Sequence, residues 1–405
     1  MIHCVAECRR LFAAILLPML VLAIFSGASP AAEGRLTPNQ GGEGQTFSGE
    51  IVVGATFPIT GPFDYYGQSA YYGAVACVRM INDNGGVNGK RLIVEWRDNQ
   101  SDPALSVAQV EEFARDLKVP AIIGPLLSDS TFAVRGLAEK YKFVAISPMS
   151  TTDSLVQNSQ WIFRATFNNT AQAEGLIRFQ MRSFGAKSVG IIYDPRFGFS
   201  TELGAIFSQR FVQEGGAVLD SLPFMDSEGK KDWETSLRRL AEKKPDFIFA
   251  PLYALEAVEL IRALKELDID IRVCGADTWD NELVFDAGGR RLANTSFASA
   301  LFEQSFNYRP FQTFFAAMEK AGMENPDAQA ACAWDAVLML AEALKTGETA
   351  EAVRRGVMGI KRLPLATGRL TILPNHESQK PVLIRVVEER HGRLIPVYAD
   401  RYDPR

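Results

Sequence analysis

The chain has 405 residues, 47% hydrophobic and 22% charged, with 32 Gly and 20 Pro, a composition that excludes disordered, collagenous and coiled-coil classes. At roughly 100–200 residues per domain, this length suggests about two domains, each able to bury its own core without disulfide or metal staples. Lys and Arg number 43 against 48 Asp and Glu, for a formal charge of −5, and histidine occurs only at His3, His376 and His391. A nucleic-acid partner, a histidine-based triad and a His-rich metal site are therefore all poorly supplied.

The N-terminus reads as an address. Arg9 and Arg10 precede an apolar run from Leu11 to Phe25, and small residues crowd Ser26 to Ala32, the order of a cleavable secretory signal over residues 1–32. The run is about 15 residues, shorter than the roughly 18 or more that a spanning helix needs. Residues 33–46, rich in Gly, Gln and Pro, read as a flexible leader. The mature chain keeps Cys77, Cys274 and Cys332, which sit in apolar helical or strand-like runs and read as buried free thiols, with a single bridge as the alternative.

From Ile51 short apolar strands alternate with amphipathic helices. Strands are expected at Ile51–Phe57, Leu92–Trp96, Ala121–Ile123 and Phe143–Ile146. Helices are expected at Gly67–Asn84, near Ala104–Lys118 and at Ser130–Tyr141. The order then restarts, with strands at Val189–Tyr193, Val218–Phe224, Phe247–Phe249 and Ile271–Cys274. The intervening helices lie near Thr201–Glu214, Trp233–Lys243 and Leu255–Leu267. Beyond about Ala300 consecutive helices, Pro310–Ala321 and Asp327–Lys345, have no strands of their own, and strand-like runs follow at Arg369–Leu373 and Val382–Val387. The economical topology is α/β: two doubly wound parallel-sheet lobes, with the chain crossing between them more than once. The lobes are expected at 47–167 plus 301–378 and at 168–300 plus 379–405.

In such sheets ligands bind beyond the carboxyl ends of the strands. The first such loop, Pro58 to Gly67, is shaped by two prolines and two glycines and presents Tyr65 and Tyr66. Gly124 to Thr131 leads into a helix and offers Ser128 with helix-start N–H groups, an anion seat; the alternative is that Ser128 or Asp129 only caps that helix. Met149, Ser150 and Thr151 follow the next strand. In the second block Phe197, Tyr253, and Asp277 with Trp279 follow strands, with a helix cap at Asp277 or Asp280 as the bland reading. Hydroxyls and amides on one side, and aromatics with a carboxylate on the other, together describe a clamp for a zwitterion. No nucleotide-binding fingerprint, nucleophile elbow or paired-histidine motif occurs: Gly85-Gly86-Val87-Asn88-Gly89 follows a helix and reads as a turn.

Taken in order, these marks resemble the solute-binding proteins of branched-chain amino acid ABC transporters, the leucine-binding type with the periplasmic binding protein type I fold. They are Gly61-Pro62 to Tyr66-Gly67, Asn82 to Lys90, Asp102-Pro103, Gly124 to Thr131, Ser147-Pro148 to Thr151, Asp246 to Tyr253 and Trp334-Asp335-Ala336. The resemblance runs over nearly the whole mature chain. It implies two lobes joined by a multi-strand hinge, no cofactor, no metal and no catalytic residue, a periplasmic location and a membrane permease as partner. It also implies that Ser128 and the loop Met149, Ser150, Thr151 hold a ligand carboxylate. Tyr253 and Asp277 would address an ammonium, with Tyr66, Phe197 and Trp279 around the ligand. Asp277 stands where the family's acidic residue is usually one methylene longer, and Phe197 where tyrosine is common. The ligand is accordingly expected to be a small amino acid or related carboxylate, with an amide, urea or aromatic acid as alternatives. An extracytoplasmic sensor and an enzyme are the rival functions.

Overall fold

The computed structural model describes residues 39, 41–301, 306–323, 325–390 and 392–404. The expected signal segment lies outside these residues, as does much of the leader. The leader's described end is tied down: the Asn39 amide donates to the Val94 carbonyl (3.1 Å) and accepts from the Val94 N–H (2.8 Å), and Gly42 donates to Asp83 (2.8 Å).

The first lobe begins with β1 (Glu50–Phe57), α1 (Asp64–Asp83), β2 (Arg91–Asp98) and α2 (Pro103–Glu112), which a short π turn extends. Then come β3 (Ala121–Ile123), α3 (Ser128–Tyr141), β4 (Val144–Ser147) and β5 (Ile162–Arg164). The five strands form a wholly parallel sheet in the order β2-β1-β3-β4-β5. Every residue of β3, β4 and β5 is buried, as expected of parallel strands covered on both faces, so they read as unbroken apolar runs. Asp102 caps α2 by accepting from Ala104, with Pro103 at the first helical position. The Gly85–Gly89 segment is the expected turn, closed by paired hydrogen bonds between Val87 and Lys90.

The second lobe follows with α4 (Asn169–Ser183), β6 (Ser188–Tyr193), α5 (Gly198–Gln213), β7 (Ala217–Pro223) and α6 (Trp233–Glu242). It continues with β8 (Phe247–Ala250), α7 (Ala254–Glu266), β9 (Arg272–Gly275), α8 (Glu282–Gly288) and β10 (Ser296–Ser299). The chain then returns to the first lobe as α9 (Arg309–Lys320), α10 (Ala328–Leu344) and α11 (Ala350–Met358), with a small antiparallel sheet of β11 (Leu363–Leu365), β12 (Gly368–Ile372) and β13 (Ser378–Gln379). Helix α10 is nearly all buried and crosses α1 so closely that a Cβ on Gly73 would strike the Ala330 backbone. The chain ends in the second lobe as β14 (Val382–Arg390) and β15 (Arg393–Tyr402). These two make the second sheet mixed, β15-β14-β10-β9-β8-β6-β7, because β14 runs antiparallel to both β10 and β15.

Several elements go beyond the sequence expectation. Strand β5 is only Ile-Phe-Arg, and α4 hides its period by burying Asn169, Gln172 and Gln180 among its apolar residues. Strand β15 is an edge strand carrying Pro396 and mostly exposed charges. Cys77, Cys274 and Cys332 are free and buried.

The lobes are joined by three crossings, after β5, after β10 and between β13 and β14. Two of them are fastened together by buried groups: Lys380 Nζ donates to the Ala165 carbonyl at 2.5 Å and reaches Asp335 at 3.1 Å, and the Ser378 hydroxyl donates to the Thr166 carbonyl.

Candidate functional site

Strand order fixes where a crevice can open. In the first sheet the connections from β1 go to one side and those from β3 to the other; in the second, the same reversal falls between β6 and β8. Loops leaving a sheet on opposite sides of such a switch point part from each other and leave a crevice at the strand ends. In this fold the two crevices face each other. A narrow cleft is lined by Tyr66, Leu126, Leu127, Ser128, Met149, Thr151, Phe199, Tyr253, Asp277 and Thr278. Each of these residues follows the carboxyl end of β1, β3, β4, β6, β8 or β9.

On the first-lobe wall a buried hydroxyl cluster welds two loops into one surface. Ser147 donates to the Pro125 carbonyl (2.7 Å) and its oxygen lies 2.7 Å from the Ser150 hydroxyl, Ser150 reaches the Leu126 carbonyl (3.2 Å), and the Thr131 and Ser150 hydroxyls are 2.8 Å apart. The Ser150 side chain is thus spent on the frame and does not line the cleft. The carbonyls of residues 150–152 are also engaged. Arg164, wholly buried, donates to Ser150 O (3.1 Å) and Thr152 O (2.8 Å), and the Asn169 N–H donates to Thr151 O (2.7 Å). Helix α3 starts at Ser128, earlier than expected, and no side chain caps it. Its first-turn N–H groups therefore lack intrahelical acceptors beside Ser128 and Thr151, which suits an anion. Asp129 does not cap α3 either: it reaches to the other lobe and accepts from the Gly198 N–H at the start of α5 (3.0 Å).

Tyr65 and Tyr66 occupy the first turn of α1 rather than the preceding loop. The buried Tyr66 hydroxyl donates to the Thr278 carbonyl (2.7 Å) and accepts from the Ala254 N–H (3.0 Å), so one first-lobe side chain joins two second-lobe loops. Burial pushes this phenol well above its ordinary pKa and keeps it neutral. Gly67 permits this arrangement, since a Cβ there would fall on the Pro58 carbonyl. Tyr253 stands at the centre of an aromatic wall, 4.8 Å from Phe63, 5.1 Å from Phe197 and 5.3 Å from Phe199 between ring centroids.

Asp277 supplies the charge. It opens a short 3-10 turn after β9, is 5% exposed, and its Oδ1 is buried without a hydrogen-bond partner. Burial lifts the carboxyl to about 7, an effect that the nearby Gln172 amide and local backbone N–H groups only partly offset. Gln172 also accepts from the Asp277 N–H (3.3 Å) and donates to Asn169 (3.0 Å). Neither Asp277 nor Asp280 is a cap: Asn281 caps α8, while Asp280 pairs with Arg385 (3.2 Å) and accepts from Ser299.

Of the nine residues singled out by sequence, Tyr66, Ser128, Met149, Thr151, Tyr253 and Asp277 meet at the cleft. Ser150, Phe197 and Trp279 do not line it. Phe197 packs edge-on against Phe63 (5.6 Å) and Tyr253, and Trp279 is fully buried against Gly275. Phe199, Thr278, Leu126 and Leu127 line it without having been singled out. Phe199 and Thr278 lie within two residues of Phe197 and Asp277, so the loops were legible and the inward-facing members were not. Among the described residues no Lys, Arg or His lines the cleft, and no cluster is suited to a metal ion.

A family model described as "Periplasmic binding protein" matches residues 50–391. The Leu/Ile/Val-binding protein BraC3 of Rhizobium johnstonii is 24% identical over 328 residues, 80% of this chain and 87% of that protein. The leucine-, isoleucine-, valine-, threonine-, and alanine-binding protein of Pseudomonas aeruginosa is 26% identical over 246 residues, 59% of this chain and 63% of its own length. Among solved structures, the leucine binding protein LivK of Thermotoga maritima superposes with a TM-score of 0.79 at 21% identity, covering 87% of this chain and 99% of that one. An ABC-transporter solute binding protein of Rhodopseudomonas palustris, in complex with 3,4-dihydroxybenzoic acid, gives 0.77 at 20% identity, covering 87% and 97%. At these identities the superpositions establish a shared fold.

Proposed function

This chain belongs to the periplasmic binding protein family, and we propose that it is the exported solute-binding component of an ABC importer. In this reading its two lobes close over a small amino acid, branched-chain or related, and deliver it to a membrane permease. The observation that carries this is the division of polar groups across one cleft. Ser128, Thr151 and the start of α3 lie on the first-lobe wall, and a buried carboxylate, Asp277, lies on the second. A ligand bearing a carboxylate and an ammonium satisfies both, and Leu126, Leu127, Met149 and Phe199 offer its side chain an apolar bed. The names of the sequence relatives support the same ligand class.

The remaining assignments follow from this reading. The lobes comprise 47–167 with 301–378, and 168–300 with 379–405; residues 1–32 direct export to the periplasm. The protein binds and releases its ligand unchanged, so a chromogenic esterase and glycosidase screen should show no turnover. The decisive experiment is a thermal-shift panel of amino acids and small carboxylates on the mature protein, followed by small-angle scattering with the best ligand. A ligand at 100 times its Kd stabilises by about 2.7 kcal/mol, and the radius of gyration should fall as the lobes close. A panel without any shift, or an unchanged radius at verified saturation, would refute the clamp.

A further inference from the structure

The cleft holds one unpaired buried oxygen and no cation to answer it. Among the described residues Asp277 Oδ1 has no hydrogen-bond partner, and the titratable groups facing Asp277 are acidic, neutral or already engaged. Asp280, on the same turn, is paired with Arg385 of β14. From α1 comes Tyr66 and from the start of α7 Tyr253, both held neutral by burial. Helix α10 contributes Cys332, a buried thiol pushed up to about 12, and α4 contributes the Gln172 amide. Asp129 of α3 faces Tyr253 and the α5 N-terminus. A closed cleft must therefore neutralise Asp277 from one of two sources, a ligand ammonium or a proton.

We infer that Asp277 makes this cleft a proton-dependent selector between two ligand classes: amino acids bind against its carboxylate, and carboxylic acids lacking the amine bind when a proton from solvent has joined Asp277. The inference rests on the clamp reading of the cleft and adds to it. Both classes present the same carboxylate to Ser128, Thr151 and the α3 start. They differ only at Asp277, which keeps its charge when an ammonium faces it and takes up one proton when an apolar group does. Burial, which lifts this carboxyl to about 7, disfavours its ionised form wherever no cation faces it. Comparing two ligands cancels the titration of the ligand-free protein, whatever its degree of closure. What remains is the difference between a complex in which Asp277 stays ionised and one in which it takes up a proton.

The test uses matched pairs that differ only in the amine: leucine with 4-methylpentanoate, and phenylalanine with 3-phenylpropanoate, measured by calorimetry on the mature protein. Between pH 5.5 and 7.5 the ratio of the two dissociation constants, counted on the free carboxylates, should move steadily in favour of the amino acid, by up to about tenfold per pH unit for the one proton that separates the complexes. In buffers of different ionisation enthalpy at pH 6, the amine-less acid should bind with close to one more proton than its partner. Asp277→Asn, which keeps the shape and removes the titration, should make the ratio independent of pH and shift it toward the amine-less acid. A wild-type ratio that stays flat from pH 5.5 to 7.5, or an Asp277→Asn protein that still favours the amino acid to the wild-type extent, overturns the inference while leaving the clamp intact. If neither pair binds at any pH, and the wider panel also fails, the clamp reading itself falls and the selector falls with it.

Discussion

The buried pair at the hinge invites a graded stability test. Asp335 and Lys380 are essentially unexposed. The Asp335 carboxylate accepts from Ala366 N–H (2.7 Å), Thr367 N–H (3.1 Å), the Thr367 hydroxyl and Lys380 Nζ (3.1 Å). The Lys380 ammonium has one further acceptor, the Ala165 carbonyl. Removing the two partners is therefore not symmetric. Asp335→Ala leaves a buried ammonium with a single carbonyl and two buried amides with nothing to bond, so the loss should be at least the roughly 3–5 kcal/mol typical of a broken buried pair. Lys380→Met keeps the aliphatic stem and leaves Asp335 with three donors, which places its loss at the lower end, about 3 kcal/mol.

The pH dependence follows from the sign of the shift. Burial raises the Asp335 carboxyl above its ordinary value, with Lys380 the main opposing influence. Removing Lys380 raises it further. A folded-state pKa above the unfolded one means that stability is retained at low pH and lost as pH rises through the folded value. Lys380→Met should thus approach wild type at pH 5 and fall behind at pH 8, whereas Asp335→Ala recovers nothing on acidification. Urea denaturation midpoints at the two pH values decide this. A loss for Lys380→Met that equals that of Asp335→Ala, or one that does not vary with pH, would refute the reasoning.

Three further substitutions probe the cleft. Tyr66→Phe deletes the hydroxyl shared between Thr278 O and Ala254 N and should weaken calorimetric affinity by about 1–3 kcal/mol, roughly 5- to 150-fold; undiminished affinity would mean that the bound form lacks this contact. Ser128→Ala removes one hydrogen bond to a charged group, an expected loss of about 1.5–3 kcal/mol, and equal binding by wild type and variant would move the carboxylate seat elsewhere. Gly67→Ala drives a methyl into the Pro58 carbonyl and should lower the melting temperature, with a cost of at least about 1–3 kcal/mol; a neutral melt would show that the loop yields freely.

Much of this was legible in the chain because parallel strands buried on both faces read as short apolar runs, and the loops after them carry Pro, Gly and hydroxyl residues. That is how Ser128, Thr151, Tyr253 and Asp277 could be placed on strand ends before any geometry was known. What escaped depends on neighbours distant in sequence. Ser150 turns inward because Ser147, Thr131 and the Leu126 carbonyl surround it, and Phe199 faces the cleft because α5 begins at Gly198. Helix α4 gave a poor periodic signal for the reason that makes it useful. Its buried amides at Asn169 and Gln172 serve hydrogen bonds to the site rather than an apolar core.

The same stretch connects the hinge to the pocket. From Arg164 to Asn169, nearly every residue either holds the loop of residues 150–152 or is held by the returning chain. Arg164 grips the carbonyls of Ser150 and Thr152, the Ala165 and Thr166 carbonyls receive Lys380 and Ser378, and the Asn169 N–H takes the Thr151 carbonyl while its side chain reaches Gln172 and Glu202 (3.1 Å). Glu202, on α5, in turn accepts from the Asp153 N–H (2.5 Å) of the first lobe. In the proposed clamp a rotation about the crossings cannot leave these bonds untouched, because the residues at the crossings are bonded to the loop proposed to hold the ligand. In the proposed clamp, closure and the position of Thr151 are thereby one structural event. A substitution at Lys380 or Ser378, neither of which lines the cleft, is accordingly expected to change affinity through the position of Thr151.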